Sequence, residues 1–288
     1  MRKATRPILI ILLSALFLCG CAGRRILTDK KEPSEMISRC EKKFASPDWE
    51  RRVEATSNLA ACITTPQNLS VFRLREEFRI NMKVEELLIE ATHDPHPQVR
   101  IEAARIAGAL MTQTILGRIK VMAVRDKNSN VRWHALKTLA LFRDPDSLDI
   151  FLVSFKSRDW IIREASIAGL LSLDSSVITH KTVPVIIRAI NDPSTSVSIT
   201  ALNMVKIRDK RIYRTISGKL TENIHSQVTL LSAVLTALEG YRLDSKTREK
   251  VINLLVHENS RVRILALRVL KMEKRLLKDD EDTADMTY

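Results

Sequence analysis

Apolar residues along this chain keep a helical rhythm, and the rhythm returns at a long and nearly constant interval. From Val131 the residues 4, 8 and 11 positions on are Ala135, Leu139 and Phe142; from Ile162 they are Ser166, Leu170 and Leu173; Val262 leads to Ala266 and Leu270. Small or apolar side chains at that spacing form one stripe along an α-helix. The same phrase precedes each stripe: a polar turn, an apolar residue, usually an arginine, then small residues. It reads DPHPQVRIEAARIAGAL from Asp94, DKNSNVRWHALKTLALF from Asp126 and SRDWIIREASIAGLLSL from Ser157, with further copies beginning at Asp192, Glu222 and His257. The apolar residue before the arginine position falls at Val99, Val131, Ile162, Val197, Val228 and Val262, spaced 32, 31, 35, 31 and 34 residues apart. An interval of that length predicts a solenoid, in which each unit is too small to bury its own apolar face and must stack on its neighbours.

Between these marks lie second helical segments at residues 84–91, 115–124, 148–155, 183–190, 212–220 and 250–256. Each unit is therefore a helix A, a turn and a helix B. Asp94-Pro95-His96-Pro97, Asp144-Pro145 and Asp192-Pro193 mark turns, because proline cannot continue a helix. With 7 Gly, 5% aromatic residues and no run of alternating polarity long enough for a sheet, the fold class is all-α, an α-solenoid over residues 34–275. Residues 64–82 are irregular, with Pro66 and then Val71, Leu74 and Phe78 at helical spacing among arginines. They read either as an additional packed basic turn, favoured because terminal repeats are often atypical, or as part of a long helix A.

The turn phrase resembles the HEAT repeat, especially the shorter bacterial kind related to bilin-lyase-type repeats. In that family an Asp in the turn is followed six residues later by an Arg at the start of helix B. Asp94 with Arg100 and Asp126 with Arg132 match both positions; Arg163, Arg263 and Arg52 keep the arginine alone, and Asp192 keeps the acid alone. About six to seven HEAT-like helix pairs are expected, although the interval is shorter than the family's usual 40 or so. These arginines and acids are expected to form a hydrogen-bonded ladder between repeats, in preference to a row of anion-binding sites. The resemblance also implies that B helices line the concave face. Arg105, Lys137 and Arg268, six residues past their marks, and Lys206 and Lys271, nine past theirs, are then candidates for contacting a partner; an ordinary solvated helix face is the alternative reading.

The amino terminus carries a separate signal. Arg2, Lys3 and Arg6 precede an apolar run from Pro7 to Cys19, too short to span a bilayer, which needs about 20 apolar residues. It ends at Leu18-Cys19-Gly20-Cys21, which resembles the bacterial lipoprotein cleavage box. That resemblance implies a signal peptide over residues 1–20, cleavage after Gly20, and acylation of the Cys21 sulfur, whose nucleophilic thiol can be alkylated. Residues 21–33 would be a lipidated linker. With Ala22 after the cysteine the outer membrane is favoured, and the solenoid lies on the far side of the cytoplasmic membrane. Of the other thiols, Cys40 and Cys62 are candidates for a disulfide in such a compartment. A simple hairpin turning at Ser46-Pro47-Asp48 argues against it, since the two would sit about 12 Å out of step along the helices, beyond the roughly 7 Å that a bridge spans.

Residues 276–288 contain Asp279, Asp280, Glu281, Asp282 and Asp285 and are expected to form a disordered acidic tail. The whole chain is nonetheless basic, at a formal +13, so anionic surfaces should attract it. His93 and His96 flank a turn but have no further ligand at metal spacing, and no catalytic triad, phosphate loop or carboxylate pair stands out. The sequence thus points to a scaffold anchored in the membrane through its N-terminal lipid, with no catalytic residue, metal or cofactor, binding unknown proteins of the cell envelope; export leaves no nucleic acid expected as partner. A HEAT-like lyase or DNA-repair-type enzyme, or a structural protein touching membrane or peptidoglycan directly, are the alternatives.

Overall fold

The structure is a computed structural model that describes residues 33–62, 71–111, 113–177, 181–220 and 227–284. The expected signal peptide, Cys21, residues 21–32 of the linker and the last four residues of the tail lie outside the described residues. Among the described residues there are fourteen α-helices and no strand. They form seven A–B pairs: α1 (Pro33–Phe44) with α2 (Trp49–Cys62), α3 (Val71–Ala91) with α4 (Pro97–Leu110), α5 (Leu116–Arg125) with α6 (Ser129–Phe142), α7 (Leu148–Ser154) with α8 (Trp160–Ser172), α9 (Val183–Ile190) with α10 (Thr195–Met204), α11 (Lys210–Gly218) with α12 (Val228–Leu238), and α13 (Ser245–Asn253) with α14 (Ser260–Ala284). The chain is an α-solenoid.

The turns explain why three different residue types serve at one position. Asp94, Asp126 and Asp192 each accept the amide hydrogen of the residue two further on through Oδ1, at 2.7, 2.9 and 2.8 Å. Ser46 and Ser157 do the same through Oγ, and His257 through Nδ1. What the turn needs is a short side-chain acceptor, which any of the three supplies. Two residues on, Asp48, His96, Asn128, Asp159 and Asn259 accept from a first-turn amide of the following B helix and cap it.

The register marks Val99, Val131, Ile162, Val197 and Val262 are buried between the two helix rows, as are Ala135, Leu139, Ser166, Leu170 and Ala266. Consecutive B helices pack against one another along their length, whereas consecutive A helices touch far less. Small residues allow this: a side chain on Gly108 would lie 3.1 Å from Thr138 Cγ2 and 3.2 Å from Leu141 Cδ1 of the next B helix. Thr138 Oγ1 donates to the Ala104 carbonyl at 2.9 Å and Ser172 Oγ to the Ala140 carbonyl at 3.1 Å across the same seams.

Three features depart from the sequence reading. Val71–Ala91 is one 21-residue helix, so this stretch is a long helix A and not a separate packed turn. Helix α14 runs on to Ala284, carrying helical backbone into the segment expected to lack structure. Cys40 and Cys62, reckoned out of reach of each other, are both buried and close enough to shift each other's titration, with no bridge between them; the Cys62 thiol donates to the Asn58 carbonyl at 3.5 Å. The axial reckoning treated α1 and α2 as helices running strictly alongside; it could not anticipate how the two pack face to face around a common apolar centre.

Candidate functional site

The arginine at the start of each B helix acts between repeats. Arg52 donates to Asp94 at 2.6 and 3.1 Å, Arg100 to Asp126 at 2.8 and 2.9 Å, and Arg163 to Asp192 at 2.7 and 2.8 Å. In each case the acid belongs to the following turn, and Nη1 of the same arginine donates to two carbonyl oxygens of its own turn. Such two-pronged pairing fixes orientation as well as charge. Among the described residues, Arg132 and Arg263 bond only to their own turns. For Arg132 the reason is Ser157, which stands where the next acid would be. Burial alone would push the Asp126 and Asp192 carboxyls up, but Arg100 and Arg163, together with turn amides, outweigh it and hold both below the usual carboxylate range. Arg52, Arg100 and Arg163 thus satisfy, and are satisfied by, the turn acids of the following repeat.

The B row carries a different set. On α4, Glu102 accepts from Arg105 at 2.8 and 2.5 Å and from Ser57 of α2. Burial raises the Glu102 carboxyl, but Arg105 and Ser57 more than compensate, so it sits below its ordinary value. On α6, Lys137 Nζ lies 4.5 Å above the Trp133 ring, and His134 meets the same ring edge-on at 4.5 Å. Burial and the nearby Lys137 charge push the His134 imidazole down, so that it is neutral at neutral pH. Further along, Glu164 of α8 accepts from Thr200 of α10 at 3.1 Å. The result is a mosaic of acid, base, imidazole and indole spread over neighbouring helices.

The five basic residues singled out from sequence do not form one stripe. Arg105 is neutralised by Glu102, Lys137 lies over Trp133, and Arg268 is paired with Glu239, just past the end of α12, at 2.7 Å. Lys206 lines an open cavity of about 790 Å³ at the ends of α8 and α10, with Arg143, Asp174 and Asn203. Lys271 stands on the end face of the last helix. Ser57, Glu102, His134 and Glu164 were missed because their roles depend on which neighbour the stacking brings alongside. Spacing six and nine residues from the mark gave a signal for the lysines and arginines only.

Near the turn edge a second cavity of about 400 Å³ is lined by His93, Asp94, Arg100, Arg118, Arg125 and Asp126, among others. Arg118 is committed there to Thr92, donating to its Oγ1 and carbonyl oxygen. No group of three His, Cys, Asp or Glu side chains able to hold a metal occurs among the described residues. Among the same residues no helix is long and apolar enough to cross a membrane.

With this geometry in view, comparison with known proteins is informative. A profile of the HEAT repeats family matches residues 84–171. That stretch is similar to HEAT repeats. It holds the continuous seams from α3 to α8, including the Arg100–Asp126 rung. Comparison with curated proteins finds no match. Among solved structures, two engineered proteins align at 17% and 16% identity over 85% of this chain, and over 97% and 99% of their own lengths, each with a TM-score of 0.44. A designed armadillo repeat protein in complex with the peptide (KR)4 aligns at 14% identity over 84% of this chain and 99% of its own, also with a TM-score of 0.44.

Proposed function

We propose that this protein is a lipid-anchored scaffold of the cell envelope, held to the membrane through Cys21, that binds protein partners on the inner face of its B row and carries out no reaction of its own. The observation that carries the binding reading is the inner face of α4, α6 and α8, where Arg105, Lys137, His134 and Glu164 stand at least partly open to solvent on a rigid, continuously packed support. A surface presented in this way, without an enclosed site of converging polar groups, is what a recognition module needs. The anchor rests on the amino-terminal sequence: three cations, a 13-residue apolar run and Leu18-Cys19-Gly20-Cys21. Ala22 supports an outer-membrane destination, and the chain's positive charge favours acidic partners.

Two measurements test the two halves. Metabolic labelling with an alkynyl fatty acid should mark the wild-type protein and leave Cys21→Ser unmarked; labelling of Cys21→Ser equal to wild type removes the anchor from the reading. A photo-crosslinking residue at Lys137 should yield a discrete protein adduct that Trp133→Ala together with Glu164→Lys abolishes at unchanged helicity. An adduct to lipid or cell wall would instead favour the structural alternative.

A further inference from the structure

The two ends of the solenoid are finished differently. Each interior B helix buries, against the next one, the residue five past its register mark: Ala104, Leu136, Ile167, Leu202 and Ala233 are all at most 3% exposed. The equivalent residue of α14, Leu267, is 45% exposed, and Ile264, three residues earlier on the same face, is 64% exposed. Lys271 continues that stripe, one turn beyond Leu267. Terminal repeats of solenoids ordinarily present a polar outer face, whereas α14 keeps the interior pattern and no described residue packs on that face.

Arg263 repeats the same relationship in polar form. Its Nη1 donates to the His257 and Glu258 carbonyls, both at 2.7 Å, as the arginines of the ladder do with their own turns. In Arg52, Arg100 and Arg163 the same pair of turn bonds accompanies donation from Nε and Nη2 to the carboxylate of the following repeat. Among the described residues Arg263 has no such carboxylate. The same helix also exposes Arg261, Lys271, Lys274 and Arg275, and the turn before it exposes Glu258.

The other occupants within the chain fit poorly. The opposite end of the solenoid exposes Glu35, Arg39, Lys42, Glu54 and Asn58 and has Ser46 at the turn position, so a second copy stacked head to tail would bring neither an apolar face nor the turn acid. The helical backbone of α14 runs on past Arg275 to Ala284.

We propose that the C-terminal end of the solenoid docks a helical hairpin of a partner protein, one that gives a turn carboxylate to Arg263 and an apolar helix face to Ile264 and Leu267. This deepens the scaffold reading and rests on it, but uses a surface separate from the inner face. The test is photo-crosslinking of the full-length protein in the cells that produce it, with the reactive residue at Leu267 and, in a parallel sample, at Lys137. From position 267 the expected adduct maps to a helical segment of another protein with an Asp or Glu within one turn of the attachment point. Arg263→Glu should lower its yield at least tenfold, and changing the mapped acid to Lys should restore it. No adduct at 267, an adduct to lipid or to a second copy of this chain, or a yield indifferent to Arg263→Glu overturns the proposal. Adducts from 137 report on the inner face alone, so loss at one position with retention at the other separates failure of this inference from failure of the scaffold reading.

Discussion

Arg163 holds the Asp192 carboxylate of the next turn with two nitrogens, at 2.7 and 2.8 Å, while its third grips two carbonyl oxygens of its own turn. One side chain thus closes its own loop and sets the spacing to the next. Both groups are largely shielded, so removing one leaves the other buried without its counter-charge. Arg163→Met should lower unfolding free energy by about 2–4 kcal/mol. Urea denaturation checks this; a loss below about 0.5 kcal/mol would mean that water replaces the rung at no cost.

The interrupted rung offers the reverse test. Arg132 has its own turn carbonyls and meets Ser157 where the other arginines meet an acid. An aspartate there can still accept the Asp159 amide while pairing with Arg132. Ser157→Asp is expected to stabilise the protein by about 1 kcal/mol, and Arg132→Met should erase that gain in the double variant.

Acid should weaken the fold in two stages. His134 is held below its ordinary value of 6.5, so the unfolded chain takes up that proton first, and the stability tied to neutral His134 is present above that pH and lost as pH falls through the folded value. Asp126 and Asp192, depressed below 3.8, and Glu102, depressed below 4.5, contribute stability that is complete above those values and lost below them. Midpoints of urea unfolding measured from pH 7 to pH 3 should therefore fall with a shallow step and then a steeper one. In His134→Gln the first step should vanish.

Two glycines of the B row should respond differently to alanine. At Gly169 the added carbon would lie 2.1 Å from Cε1 of Phe151, a fully buried ring of α7 that has nowhere to retreat. Gly169→Ala is expected to cost about 1–3 kcal/mol, and Phe151→Leu should offset part of that cost in the double variant. At Gly108 the nearest contacts are 3.1 and 3.2 Å, to Thr138 and Leu141 side-chain tips. There the gain in helix propensity of about 1 kcal/mol should leave Gly108→Ala close to wild type in thermal melting.

The buried thiols of α1 and α2 should be chemically quiet. Contact with Cys40 and burial push the Cys62 thiol far up; contact with Cys62 draws the Cys40 thiol down, but both side chains are closed to solvent, so reagent cannot reach either. Iodoacetamide at pH 8 should modify neither at an appreciable rate until denaturant is added. Rapid native labelling of either would show that the first helix pair opens readily.

The repeat interval, the register marks and five of the six inner A-helix segments lie within a few residues of where apolar spacing puts them, because helix periodicity and turn chemistry are local properties of the chain. So is the choice of Asp, Ser or His in the turn, each able to accept the amide two residues on. What the arginine six residues later would grasp was not local. Arg100 reaches Asp126, an acid 26 residues further on, and Arg132 finds Ser157 in that place, because the partner is set by the stacking of one repeat on the next. Stacking likewise brought Ser57 to Glu102 and Cys40 to Cys62, and put Lys271 on an end face instead of among the inner-row residues. Sequence alone determined the kind of unit and its order; packing between units, which depends on the shapes of side chains far apart along the chain, decided which polar groups are consumed by the framework and which are left at its surface.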